Sequence, residues 1–154
     1  MIVSNPDLFK ALSSIAVLAG TSVAAQTLIA GEGTVHNFLE STWIVREGEE
    51  GHAFYLIVEG DVEVLKHAGC SHEVRLATLH QGDVFGEMCI LCTMPRAASI
   101  RTLDEAKIIE IKAATLHHLY QKMPDQYAIV ILNIARDLAR RLSQLDEAYA
   151  ARAC

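Results

Sequence analysis

Hydrophobic positions change their period twice along this chain. Residues 6–19 place Leu8, Leu12, Ile15 and Leu18-Ala19 at helical spacing, and Pro6-Asp7 supplies a helix start. Gly20-Thr21-Ser22 breaks that pattern, and 22–31 fits either a helix or a strand. From about Thr34 the texture becomes short apolar runs between turn signals. Thr42–Val45 is β-branched and aromatic, Glu47–Gly51 is a turn, and Phe54–Val58 is a strand. Glu59-Gly60-Asp61 predicts a tight hairpin turn. Val62–Leu65 and Val74–Leu79 alternate, each predicting one buried face, with an exposed loop over His67–His72 between them. Gln81-Gly82-Asp83 turns the chain into Val84-Phe85, and Ser99–Thr102 and Ala106–Ile111 complete the set. Strands this short and this regularly spaced predict a small antiparallel barrel or roll.

After Lys112 the period becomes helical. Ala114–Met123 predicts a short helix, and Pro124-Asp125 restarts the chain. Tyr127, Val130, Ile131, Ile134, Leu138, Leu142 and Leu145 then form one stripe, with Arg136, Asp137, Arg140, Arg141 and Asp146 mostly off it. The stripe outlasts the small barrel ahead of it, so it is expected to serve both the barrel and a partner helix. The chain therefore divides into a helical segment (1–33), a β-rich body (34–112) and C-terminal helices (113–154), all within one domain.

Composition supports a folded domain: 51% of the 154 residues are hydrophobic and 21% charged. A net charge of −6 argues against a nucleic-acid footprint over the whole chain, but leaves room for one small anion on a local cation. Ala11–Gly31 carries no charge, yet its alanines and hydroxyl residues favour an amphipathic helix over a membrane or signal segment. Cys89 and Cys92 form a CxxC with no second pair, for which packing is the plain explanation, and Cys70 and Cys154 stand apart. The histidines are scattered and show no metal-ligand spacing. The compartment expected is a reducing cytoplasm.

The chemistry concentrates in Phe85–Ile100, FGEMCILCTMPRAASI. Taken singly, Gly86 is turn punctuation, Glu87 a turn acid and Arg96 a surface charge. Together, nine residues apart and wedged between two strands, acid and base read differently. Free backbone N–H groups at a helix start attract anions. The planar fork of Arg96 suits two phosphate oxygens, and Glu87 can accept from sugar hydroxyls. A ribose carrying a phosphate satisfies both.

This segment resembles the phosphate-binding cassette of the cyclic nucleotide-binding domain family. Ile44–Gly48 and Tyr55–Val62 are similar to the family's strand and turn signatures, so the resemblance covers about 35–145. It implies a mainly β fold with flanking helices: an eight-stranded antiparallel, jelly-roll-like β-roll, an N-terminal helix and a long C-terminal helix. It implies that Glu87 takes the ribose 2′-hydroxyl and Arg96 the cyclic phosphate, with backbone N–H groups near Gly86, Cys89 and Ala97 on the same ligand. Val64 and Leu76 would pack on the purine, joined by Met88, and Phe85 and Ala98 complete the candidate ligand-binding set. A Thr after the cassette arginine favours guanine in this family. Ala97 stands there, so cAMP is expected before cGMP.

The resulting expectation is a cyclic-nucleotide sensor: not an enzyme, with no catalytic residues, metal or cofactor beyond its ligand. It is expected to form a homodimer through 124–146 and to act on an unidentified downstream protein. The C-terminal helices would move over the purine, with Ser143, Gln144 and Asp146 as candidates for touching the base. Rival expectations are the sensor half of a DNA-binding regulator, a detached cytoplasmic domain of a channel or transporter, and a docking module that has lost its ligand. No helix-turn-helix follows the long helix in this sequence, and the acidic balance also speaks against the first rival.

Overall fold

A computed structural model describes residues 6–154, excluding the side chains of residues 6–8. The expected Leu8 contact therefore lies outside the described residues. Helix α1 spans Pro6–Ser13 and stops earlier than its apolar spacing predicts, because a 3-10 turn at Ala16–Leu18 takes over. Leu12, Ile15 and Leu18 are buried as expected, but the change of pitch buries Val17 and leaves Ala19 exposed. The ambiguous 22–31 stretch is helical: α2 runs Val23–Glu32, and the Ser22 hydroxyl at its N-cap accepts from the Ala25 N–H at 3.2 Å. No helix among the described residues is long and apolar enough to cross a membrane.

Eight strands follow: β1 Thr34–Phe38, β2 Trp43–Val45, β3 Ala53–Glu59, β4 Val62–Lys66, β5 Val74–Leu79, β6 Val84–Phe85, β7 Ser99–Thr102 and β8 Ala106–Lys112. They form two antiparallel four-stranded sheets, ordered β1-β8-β3-β6 and β2-β7-β4-β5. The expected β-roll with flanking helices is thus the observed fold. A first core lies between the sheets, with Ile57, Phe85 and Ile108 meeting Val45, Val62, Leu79 and Ile100. A second lies between the outer face of the first sheet and the helices, with Phe54, Leu56, Val58, Ile109 and Ile111 meeting Leu12, Leu18, Ile29, Leu119, Val130 and Ile134. Strand β3 contributes to both cores, which explains why Phe54–Val58 reads as a continuous apolar run rather than an alternating one.

Three local expectations are corrected. Glu59-Gly60-Asp61 is not a hairpin turn, because β3 and β4 belong to different sheets. It ties instead to the β7–β8 turn, with the Asp61 N–H donating to Asp104 Oδ1 (2.7 Å) and the Leu103 N–H to the Asp61 carbonyl (2.9 Å). Strand β4 does not alternate simply, since Glu63 is buried. Arg75 Nε donates to Glu63 Oε2 at 2.8 Å and Arg101 Nε to Oε1 at 2.7 Å, so two guanidiniums cover the carboxylate. Strand β5 is an edge strand, mostly exposed rather than half-buried.

Short helix α3 (Met88–Leu91) links β6 to β7 across the cassette, and α4 (Ala113–Lys122) leads into α5 (Pro124–Arg152). The α5 stripe divides in two. Val130 and Ile134 are buried, and Tyr127, Ile131 and Leu138 pack against the helix-side core. Leu142 and Leu145 are exposed.

Candidate ligand site

Arg96 is fixed in place by the turn at 47–51. Its N–H donates to the Glu49 carbonyl (2.8 Å), and its carbonyl accepts from the Gly48 N–H (2.9 Å). The side chain then passes through a gap that two glycines leave open. A Cβ at Gly51 would lie 2.4 Å from Arg96 Nε, and one at Gly86 would lie 2.5 Å from Nη1. Gly86 also has φ +78°, a conformation that disfavours side chains. The guanidinium lies 5.5 Å from the Tyr55 ring centroid, and Tyr55 stacks on Phe85 at 5.0 Å. Burial raises the Tyr55 phenol above its ordinary value, with Arg96 opposing.

Arg96 is 6% exposed, yet among the described residues it makes no ion pair. Its Nη1 donates only to the Gly86 carbonyl (3.1 Å) and to Cys89 Sγ (3.3 Å). A buried guanidinium answered by neutral acceptors is an electrostatically incomplete site, which an anion would complete.

Glu87 is buried across the same cavity, 3% exposed. Burial pushes its carboxyl above the ordinary value, and the Arg141 guanidinium partly counters this. Arg141 Nη1 lies 3.4 Å from Glu87 Oε1, while Nη2 donates to the Val84 carbonyl at 2.6 Å. Asp137, one turn earlier on α5, holds the same guanidinium at 2.8 Å. A residue of the long C-terminal helix therefore reaches into the cassette.

The cavity measures about 120 Å³ and is lined by Val45, Val64, Leu79, Phe85, Gly86, Glu87, Met88, Cys89, Arg96, Ala97, Ala98, Ile100 and Arg141. Of the ten sequence candidates, the structure brings all but Leu76 to this wall. Leu76 lies half-exposed on β5, at a bulge where the register shifts between Val64 and Leu65, and Leu79 of the same strand lines the cavity instead. Val45 and Ile100 are wall residues that sequence reasoning missed, although both lie within runs read as strands. Arg141 was missed because it lies off the apolar stripe. Ser143, Gln144 and Asp146 are exposed and do not line the cavity. Small-molecule pockets usually span about 300–1,000 Å³, so this cavity is small by comparison. A wider recess of about 710 Å³ beside α1 lies away from the cassette, and its Glu59 is already paired with Lys107 at 2.9 Å. Among the described residues no three His, Cys, Asp or Glu side chains cluster as metal ligands.

A two-sheet roll with this cassette defines a nucleotide-sensing class of domain, and comparison with known proteins identifies the family. Residues 35–123 match the cyclic nucleotide-binding domain, and the chain belongs to that family. A cAMP-dependent protein kinase regulatory subunit from Dictyostelium discoideum is 36% identical over 88 residues, covering 54% of this chain and 26% of that protein. The cAMP-activated global transcriptional regulator of Salmonella typhimurium is 28% identical over 114 residues, covering 73% of this chain and 52% of that protein. A solved cyclic nucleotide-binding domain from Methylobacillus flagellatus superposes with a TM-score of 0.83 at 19% identity, covering 96% of this chain and 83% of that one, a likeness of fold. The chain spans about a quarter of the length of the kinase regulatory subunit. The named sequence relatives are regulatory proteins.

Proposed function

We propose that this chain is a cAMP-binding sensor domain that signals through its C-terminal helices. The observation that carries the reading is Arg96, a buried guanidinium without an ion pair among the described residues, on the same small cavity as buried Glu87. The cyclic phosphate, a single negative charge, would pair with Arg96, and the ribose 2′-hydroxyl would donate to Glu87. Val64, Met88 and Leu79 would receive the purine. Ala97 after the cassette arginine favours adenine over guanine. The kinase regulatory subunits named for cAMP support the same choice.

Arg141 turns capture into a signal. At 3.4 Å it holds Glu87, the acceptor that the ribose needs, and it helps keep the cavity small. A ligand that takes Glu87 must displace Arg141 and shift α5. It does so only to the extent that it binds the displaced state more tightly. The residues 113–154 then act as the moving part on the 34–112 roll. The domain works in the cytoplasm without catalysing a reaction, and its output passes to a second copy and to a downstream protein.

Calorimetric titration of verified ligand-free protein with cAMP and cGMP, beside Arg96→Ala, tests this. Micromolar or tighter binding of cAMP is expected. Loss of the guanidinium is expected to weaken it by about 2–5 kcal/mol, roughly 30-fold to several thousand-fold. Absence of heat with either nucleotide would reject the reading.

A further inference from the structure

The CxxC pair is not accounted for by packing. Cys92 is exposed, Cys89 is half-buried, and both are free thiols. Cys89 lines the cavity, and its sulfur is one of two acceptors for Arg96 Nη1 among the described residues. Cys92 ends α3, its N–H donating to the Met88 carbonyl at 2.8 Å. Residues three apart on a helical turn are neighbours, with Cβ atoms about 5–6 Å apart. A disulfide needs Cβ atoms about 3.5–4.5 Å apart. Cys92, however, is the C-cap, with extended backbone (φ −132°, ψ 137°), so joining the sulfurs requires the C-terminal end of α3 to rearrange and turns the Cys89 sulfur from Arg96 toward Cys92.

We propose that Cys89 and Cys92 are a redox pair whose reversible disulfide rearranges the Arg96 site and lowers its affinity for a cyclic phosphate. The affinity part rests on the reading of Arg96 given above. The oxidant is a hydroperoxide. The exposed Cys92 sulfur attacks it: an S–O bond forms, the O–O bond breaks, and water or an alcohol leaves. The Cys89 sulfur then attacks the Cys92 sulfenic acid. The S–S bond forms, the S–O bond breaks, and the hydroxyl leaves as water with the Cys89 proton. Two thiols have lost two electrons to the peroxide, and a dithiol returns them. Arg96 Nη1 loses its sulfur acceptor, and the cavity wall carrying Met88 and Cys89 moves with α3. Misplacing one charged hydrogen bond to the ligand weakens binding about ten- to a hundredfold.

The test uses the full ligand-free chain, reduced or treated with hydrogen peroxide. Expected on oxidation are loss of the two thiol hydrogens from the peptide holding Cys89 and Cys92, altered amide exchange across 86–97, and weaker cAMP binding restored by dithiothreitol. Cys92→Ser should bind cAMP as the reduced protein does and ignore peroxide. No Cys89–Cys92 disulfide, or a disulfide that leaves both exchange at 86–97 and affinity unchanged, overturns the proposal. If reduced protein binds no cyclic nucleotide, the proposed ligand fails, and exchange at 86–97 alone then decides the switch.

Discussion

Glu87 of the cassette and Arg141 of the long C-terminal helix form an ion pair at 3.4 Å, 54 residues apart in sequence. The pair joins the part of the chain that would hold a ribose to the part that would move. Arg141 is held by Asp137 and the Val84 carbonyl as well, so it is a built contact rather than a loose surface arginine. If it competes with a ribose hydroxyl, Arg141→Ala should bind cAMP more tightly, by about three- to tenfold for one modest hydrogen bond released. The same change should lower stability, because Glu87 stays buried without its guanidinium. Calorimetry and thermal melts report the two effects separately. Weaker cAMP binding in Arg141→Ala would show instead that the arginine serves the ligand.

Gly51 offers a way to move Arg96 without removing it. A Cβ there would lie 2.4 Å from Nε, and the atom it meets belongs to a flexible side chain. Gly51→Ala should therefore fold with a melting temperature within a few degrees of the parent, while Arg96 is displaced. An affinity loss of about tenfold or more is expected, since paired contacts to phosphate depend on orientation. Unchanged affinity would mean that the guanidinium's position is not what the ligand reads.

Much of this was legible in the sequence for a physical reason. Strands and turns are local, so Trp43–Val45, Val62–Lys66 and Ala106–Lys112 announce themselves by composition and period. The cassette is also local, and its candidates Gly86 to Ala98 reach one cavity. What escaped was non-local. Glu63 reads as the polar half of an alternation, and only the arginines of neighbouring strands make its burial tolerable. Arg141 reads as a solvated helix charge until the helix is laid across the cassette. The β3–β4 turn has hairpin chemistry, but which sheet receives β4 is set by pairing with β7.

Two buried carboxyls should titrate with opposite consequences. Burial raises Glu87 above its ordinary 4.5, against the pull of Arg141. The folded protein then keeps that proton to higher pH than the unfolded chain. Its stabilising contribution is full below 4.5 and is lost as pH rises through the folded value. For Glu63 burial pulls upward too, but the hydrogen bonds from Arg101 and Arg75 prevail and the value is lowered from 4.5. Its contribution is present above 4.5 and is lost as pH falls through the folded value. In denaturant melts, wild type should lose stability relative to Glu87→Gln as pH rises above that point, and its advantage over Glu63→Gln should shrink as pH falls below it. Two differences that move in the same direction with pH would contradict these environments.

The far end of α5 bears on assembly. Leu138 packs on the helix-side core, while Leu142, Leu145 and Tyr149 are 60%, 54% and 80% exposed. Their spacing of four, three and four residues from Leu138 is that of a coiled-coil seam. Burying a leucine fully contributes about 1.5–3 kcal/mol, so leaving two uncovered on one face favours pairing with a second α5. Leu142→Glu combined with Leu145→Glu should convert a dimer to a monomer in sedimentation. The roll's melting temperature should change little beyond the loss of dimer linkage, because neither side chain belongs to a core. Wild-type protein that sediments as a monomer at about 50 μM, far above a typical low-micromolar dimer constant, would remove the homodimer from the proposal.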